Sequence, residues 1–134
     1  MIITLQTYNR VENAALGAGL NLTGAKLALL ADTYTFDATH ETWAEVSSHE
    51  ISGTGYTAGG KSLGGSITDG TYSVSGNLTT FTALEATFAY AVIVGGDDNL
   101  VACLTFSAGN SITVTGYDFE ISWSEAGIIK VEET

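Results

Sequence analysis

The sequence predicts an all-β protein, an antiparallel β-sandwich or barrel of about eight strands with one short helix or helical turn near Glu41 to Val46. Three observations predict this class. The 134 residues include sixteen glycines and no proline, and 45% of them are hydrophobic against 14% charged. Runs rich in β-branched and aromatic residues lie between glycine turns. A chain of this length can bury a core of its own without a disulfide or a metal ion.

The N-terminal region predicts one strand followed by an arm. Ile2 to Thr7 is rich in β-branched residues and is the expected first strand. Val11 to Gly24 has no clear period, and its glycines would each cost a helix about 1 kcal/mol relative to alanine. We therefore divide the chain into an N-terminal strand and arm, residues 1–24, and a single sandwich domain, residues 25–134.

The next stretch predicts a strand, a helical turn and an irregular segment. Lys26 to Ala31 is a short apolar run, typical of a buried strand. Thr39 is placed to cap a short helix that carries Trp43 and Val46 on one face. Gly53 to Gly65 is so rich in glycine that it cannot hold a helix, and we expect it to be irregular or extended.

The middle of the chain predicts two further strands. Ile67 to Ser75 alternates weakly, with Tyr72 and Val74 on one face, and Phe81 falls in the connection that follows. Glu85 to Val94 carries apolar residues on both faces, which predicts a central strand.

The last third predicts two hairpins. Gly95 to Asn99 has the composition of a turn, so Leu100 to Phe106 should return beside the preceding strand. Ile112 to Thr115 and Tyr117 to Trp123 each alternate apolar and polar residues, which predicts one buried face. Ile128 to Val131 is expected to close the second hairpin.

The charge excludes several partners. Fifteen acidic residues against four basic ones give a formal net charge of −11. Nucleic-acid binding requires clustered Lys and Arg to replace phosphate counterions, and an anionic membrane surface repels the same charge. We expect neither partner. We also expect synthesis in the cytoplasm, because the N-terminus has no charged leader followed by an apolar core.

One motif matches a phosphate-binding loop. Gly55 to Ser62 satisfies the pattern GxxxxGKS, which cradles phosphates where a strand leads into a helix. The residues that follow, Leu63 to Ser66, contain two glycines and cannot begin a stable helix. We therefore interpret the match as coincidental and predict no nucleotide cofactor.

Candidate metal and catalytic residues are sparse. His40 and His49 lie among acidic residues, but their spacing is not that of a helical metal site, and we expect them to hydrogen-bond the surrounding loop. Cys103 is the only cysteine and is predicted to be a small buried hydrophobe. No serine lies in a GxSxG turn. We predict no metal, no cofactor, no catalytic residue and no enzymatic activity, and we expect Trp43 and Trp123 in the core.

Four blocks carry a family resemblance. They are KLALLADTY, EVSSHEISGTGYTAGG, LEATFAYAVIVGGDDNLVACLTF and GYDFEISWSEAGIIKV, together with the spaced His40 and Trp43. They resemble a family of small virion proteins of tailed bacteriophages, and Met1 to Gly24 lies outside the resemblance. The resemblance implies a non-enzymatic structural component of a phage virion.

The charge narrows the expected position of such a component. Packaged DNA would repel a chain of net charge −11, whereas the outside of the head would not. We expect a capsid decoration (cement) protein on the outer surface of the head, a homo-oligomer with a trimer favoured, bound to the major capsid protein. The alternatives are a tail or neck component, a glycan- or receptor-binding module and a glycan-degrading enzyme.

The candidate interface is the glycine-dense segment. Because glycine permits close backbone approach, we expect this segment to lie flat against a neighbouring chain or the shell. Met1 to Gly24 would complete a neighbour's sheet or grip the capsid. The candidate interface residues are Gly53, Gly55, Tyr56, Gly59, Gly60 and Lys61.

Overall fold

The computed structural model describes residues 3–8, 24–64, 66–68, 71–73, 78–123 and 129–130. These residues form strands connected by turns, one short α-helix and two 3₁₀ turns. The strands are β1 Ile3–Thr7, β2 Lys26–Leu30, β3 Lys61–Ser62, β4 Ser66–Thr68, β5 Thr71–Ser73, β6 Leu78–Phe88, β7 Tyr90–Val94, β8 Leu100–Phe106, β9 Ile112–Ser122 and β10 Ile129–Lys130. The helix α1 is Trp43–Val46, and the 3₁₀ turns are Ser47–His49 and Ser107–Gly109.

The strands form two layers, which confirms the predicted all-β, sandwich-like class. The first layer is a five-stranded antiparallel sheet in the order β1-β8-β7-β2-β3. The second contains the long antiparallel pair β6–β9, and β10-β5-β4 is a separate small antiparallel sheet. β5 precedes β6 and β10 follows β9, and the two ladders run in nearly the same register.

The main core lies between the layers. Phe88, Phe106 and Phe119 meet edge to face, with ring centroids 5.0 to 5.8 Å apart. Their mutual packing joins β6 and β9 to β8, because each strand supplies one ring. Aliphatic side chains of β2 and β7 complete this cluster.

A second apolar cluster covers the other face of the five-stranded sheet. Residues 31–50, which include α1, supply Tyr34 and Val46 to it, and Tyr8 enters from the end of β1. The central strands β2, β7 and β8 are thus buried on both faces, and this explains why β7 and β8 are continuously apolar. Cys103 is fully buried in this cluster, as predicted.

The hairpin between β7 and β8 is confirmed, and the turn at its tip is the predicted one. The Gly95 N–H donates to the Asn99 carbonyl at 2.9 Å. β1 and β2 also occupy the predicted residues. β1 pairs with β8 of the same chain, and the predicted arm beyond it, residues 9–23, lies outside the described residues.

The predicted single strand from Glu85 to Val94 is wrong. The chain leaves the second layer at Phe88 and enters the five-stranded sheet at Tyr90, with a bend at Ala89. The Ala89 N–H donates to the Leu30 carbonyl, which fixes the crossing point. Only the β7 half is apolar on both faces, because β7 is a central strand, whereas Glu85 and Thr87 of β6 are exposed.

Three other sequence predictions need correction. Phe81 lies inside β6, where it is buried, and not in a connection. The single strand predicted at Ile67 to Ser75 is the hairpin of β4 and β5. β10 pairs with β5, and so it does not form a hairpin with the preceding strand.

The cap of α1 is also different from the prediction. Thr42, not Thr39, is the N-cap residue, and the Glu45 carboxylate accepts hydrogen bonds from the backbone N–H groups of Thr42 and Glu41. Thr39 instead donates through both its N–H and its hydroxyl to Asp37, and these bonds lower the pKa of Asp37. The capping pattern T-x-x-E was present in the sequence at Thr42.

Candidate functional site

The segment from Glu50 to Ser62, called here the glycine loop, closes one side of the sandwich. At its start the Ile51 N–H donates to the Leu29 carbonyl of β2. In its middle Thr54 forms a bridge with Glu85 of β6, and at its end β3 pairs with β2. The loop thereby connects the edge of the first layer to the edge of the second.

Three glycines of the loop press against the backbone of these strands. A Cβ atom on Gly53 would lie 2.1 Å from the Glu85 carbonyl oxygen, and one on Gly60 would lie 2.3 Å from the Leu27 carbonyl oxygen. At Gly55 the nearest atom would be the Thr82 carbonyl oxygen at 2.6 Å. Only glycine fits at such distances. The sequence analysis expects these glycines to lie against a neighbouring chain or the shell, whereas the backbone that they approach in the structure is the chain's own.

Glu50 anchors the loop from inside. Its Oε2 accepts hydrogen bonds from the Tyr56 hydroxyl at 2.6 Å and from the Gly59 N–H at 2.8 Å. The same hydroxyl accepts from the Leu29 N–H at 3.1 Å, and the Tyr56 ring stacks on Phe81. Burial, with the hydrogen bond to Glu50, raises the pKa of Tyr56. The phenol therefore remains a neutral donor across the neutral pH range.

Lys61 lies exposed at the mouth of a small cleft between the loop and β6. The cleft has a volume of about 150 Å³ and is lined by Gly55, Thr57, Gly60, Lys61, Thr80, Phe81 and Thr82. Lys61 pairs with Leu27, so it faces the second layer. The cleft is smaller than the clefts that hold drug-sized ligands, roughly 300 Å³ and more.

The phosphate-loop match does not have the structure of such a site. Lys61 and Ser62 form strand β3 beside β2, whereas a phosphate-binding loop requires a helix to begin there. Gly59 and Gly60 have positive φ angles of 92° and 96°, and they serve the turn that leads into this strand.

Both histidines lie next to Tyr34 and hydrogen-bond the segment that precedes the glycine loop, as predicted. Nδ1 of His49 lies 2.9 Å from the Thr33 hydroxyl, and Nδ1 of His40 lies 3.3 Å from the Tyr34 hydroxyl. The Tyr34 hydroxyl also lies 2.8 Å from that of Tyr8, and burial raises the pKa of both phenols. Across the described ranges no group of three His, Cys, Asp or Glu side chains could hold a metal ion.

The tryptophans lie at the margins of the core. Trp43 and Trp123 are half-buried, and the Trp123 indole N–H donates to the Thr79 hydroxyl at 2.8 Å. Within the described part of the chain, no helix is long and apolar enough to cross a membrane.

Sequence reasoning missed Glu50, Glu85 and Thr82 as residues that hold the site together. Glu50 resembles any other acid of the segment, and no spacing rule links it to Tyr56. The carbonyl oxygens of Glu85 and Thr82 contact the glycines through the backbone, so their side chains give no signal.

The Tyr56 hydroxyl is expected to contribute strongly to stability. Tyr56→Phe should lower the free energy of unfolding by about 2 kcal/mol, because the Leu29 N–H loses its acceptor and Glu50 loses a donor. Urea denaturation measures the change. Tyr117→Phe is the control, since Tyr117 is 57% exposed, and a change below about 0.5 kcal/mol is expected there. Equal losses for the two variants would contradict the role assigned to the hydroxyl.

Neither a protein-family model, nor a curated protein, nor a solved structure matches this chain.

Proposed function

We propose that the chain is a non-enzymatic structural component of a phage virion, a decoration protein on the outer surface of the head. It would stabilise the shell by binding the major capsid protein as a homo-oligomer, with a trimer favoured. The family resemblance of the sequence is the origin of this proposal. The observation that carries the outer position is the placement of the acidic side chains.

The acidic residues coat the outside of the sandwich. Every described acidic residue except Glu50 is exposed. The exposed ones are Asp32, Asp37, Glu41, Glu45, Glu85, Asp97, Asp98, Asp118 and Glu120. Such a surface repels packaged DNA, and it also keeps many copies on one particle from clumping.

The acidic and histidine side chains considered above as candidate site residues form hydrogen bonds that stabilise the fold. Glu50 anchors the glycine loop, and Glu45 caps α1. His49 hydrogen-bonds the Thr33 hydroxyl, and His40 hydrogen-bonds the Tyr34 hydroxyl. These polar side chains hydrogen-bond the chain's own loops. Such an arrangement suits a structural role better than a catalytic one.

The candidate interface becomes narrower in this picture. Gly53, Gly55, Gly60 and Tyr56 contact the chain's own strands, whereas Lys61 is exposed at the rim of the loop. We therefore assign contact with a neighbouring acidic or polar surface to Lys61 and the outer edge of the loop. A tail or neck component would use the same features, and it remains the second candidate.

Immunogold labelling of the virions of the encoding phage tests the location. Label spread over the head is the expected result. Label confined to the tail would favour the second candidate, and particles without label would overturn the proposal.

A binding assay with capsids that lack the protein tests the assigned contact. Lys61→Glu is expected to weaken capsid binding at least tenfold, because the contact loses a cation and gains a repelling charge. Thr35→Glu is the control, since Thr35 is also exposed but lies outside the glycine loop, in the segment that covers the other face of the five-stranded sheet. Equal weakening by both variants would indicate a general charge effect and not a contact at Lys61.

A further inference from the structure

Strand β1 is an edge of the five-stranded sheet. It pairs with β8 on one side, with continuous register from Ile3 opposite Phe106 to Thr7 opposite Ala102. No described strand pairs with its other side. An edge strand presents a row of backbone N–H and C=O groups that can accept a further strand.

The side chains of β1 do not block the pairing of a further strand at this edge. Ile3 is 43% exposed and Leu5 is 39% exposed, and both are opposite core residues of β8, Phe106 and Leu104. The two side chains therefore extend the core face of the sheet beyond its edge. Natural edges are blocked by lysine, proline or a bulge, and Ile3–Thr7 has none of these.

The charge of the chain selects the partner. At a net charge of −11, most contacts between two copies would bring carboxylates together. β1 carries no charge, and neither does β8 beside it. An antiparallel pairing of β1 with itself is self-complementary and brings only uncharged side chains together.

We propose that β1 pairs antiparallel with β1 of a second copy across a two-fold axis, so that the two five-stranded sheets become one continuous sheet. Ile3 and Leu5 of both copies would then form an apolar strip that joins the two cores. A two-fold contact of this kind closes as a dimer, so the inference replaces the favoured trimer with a pair of chains. It does not depend on a location in a virion.

Two substitutions matched in exposure test the contact. Ile3 and Leu78 are both 43% exposed, and only Ile3 lies on β1, whereas Leu78 lies on β6 in the other layer. In sedimentation velocity the unmodified chain should have the mass of two chains. Ile3→Lys should raise the dimer dissociation constant at least a hundredfold and give single chains with an unchanged circular dichroism spectrum. Leu78→Lys should leave the dissociation constant within a factor of three.

A cysteine scan tests the antiparallel register. Cysteines are introduced singly at Ile3, Thr4, Leu5 and Gln6, and the native Cys103 is buried and does not interfere. In an antiparallel pair, disulfide formation between copies should be fastest at one position or two adjacent ones and slower on either side. Equal crosslinking at all four positions would indicate parallel strands and would overturn the proposal.

The remaining outcomes distinguish a failure of the β1 pairing from a failure of the proposed function. Single chains with slowly exchanging β1 amides would mean that the chain's own residues cover the edge. A mass of three chains that Ile3→Lys leaves unchanged would place the contact elsewhere while keeping the proposed trimer. Dissociation by Leu78→Lys as strong as by Ile3→Lys would remove β1 as the specific contact. Pairing through β1 with no label on virions would support the inference and overturn the proposed function.

Discussion

Gly60→Ala is expected to lower the free energy of unfolding by about 4 kcal/mol, because two separate penalties meet at this residue. Its φ angle of 96° lies in the left-handed region, which costs a residue with a Cβ about 1 kcal/mol. The added Cβ would also lie 2.3 Å from the Leu27 carbonyl oxygen and 2.9 Å from the Ala28 Cα. These are backbone atoms of a buried strand, so they cannot move aside without breaking the pairing of β2.

Two other glycines of the loop separate the cost of the positive φ angle from the cost of the steric clash. Gly59 has a φ angle of 92°, but the nearest atom to its Cβ position is the Lys26 Nζ at 4.0 Å, so Gly59→Ala should cost only about 1 kcal/mol. Gly53 has no positive φ but would place its Cβ 2.1 Å from the Glu85 oxygen, so Gly53→Ala should cost about 3 kcal/mol. Urea denaturation of the three variants measures both terms. A Gly53→Ala loss no larger than that of Gly59→Ala would mean that the loop does not rest on β6.

Phe88→Ala is expected to cost about 4 kcal/mol, since it removes the ring that contacts both layers of the core. Phe88 is fully buried and lies 5.5 Å from the Phe106 ring and 5.0 Å from the Phe119 ring. Its removal leaves a cavity between β8, which pairs with β1 and β7, and β9, which pairs with β6. The surroundings therefore cannot collapse to fill it.

The control at the same position is Phe88→Leu. Leucine keeps most of the apolar volume, so its expected cost is about 1 kcal/mol. Thermal or urea unfolding measures both variants at one pH. Similar losses for alanine and leucine would show that the ring geometry, and not the filled volume, carries the stabilisation at this position.

The strand period predicted most of the sheet and failed where the chain changes layers. In β7 and β8 the apolar run and the glycine turn between them are local signals, and both were sufficient. Ala89 gave no signal, because an alanine between Phe88 and the apolar run of β7 leaves the apolar pattern unbroken. The spacing of Phe88 and Tyr90 predicts a shared face, yet they belong to different clusters.

The change of phase in β9 was visible in the sequence. Val114 and Ile121 are both buried although their separation is odd, because the ladder between β6 and β9 shifts register near Gly116, whose φ angle is 86°. The Ala83 N–H on the opposite strand donates to Asp118 at this point. Glycine between two alternating runs predicts such a bulge.

For the candidate site, the glycines predicted a close approach to a neighbouring chain or the shell, whereas the backbone that they approach is the chain's own. A glycine shows that another backbone can approach closely at that position. It does not show which strand the fold places there. At Gly53 and Gly60 the strands are β6 and β2, which are distant in sequence from the loop. The role of Glu50 depends on the same long-range placement, so spacing alone could not reveal it.

The two edges of the first layer differ in how they can open. At β3 the glycine loop connects both layers, so the two layers cannot separate at this edge without breaking the contacts of the loop. Among the described residues, β1 is held by its ladder to β8, by contacts with the turn Ser107–Gly109 and by the buried Tyr8. Transient opening should therefore start at β1 and travel inward, and its amides should exchange first in a single chain. A strand bound at this edge would remove that first step, so each copy would gain kinetic stability at the moment it is assembled.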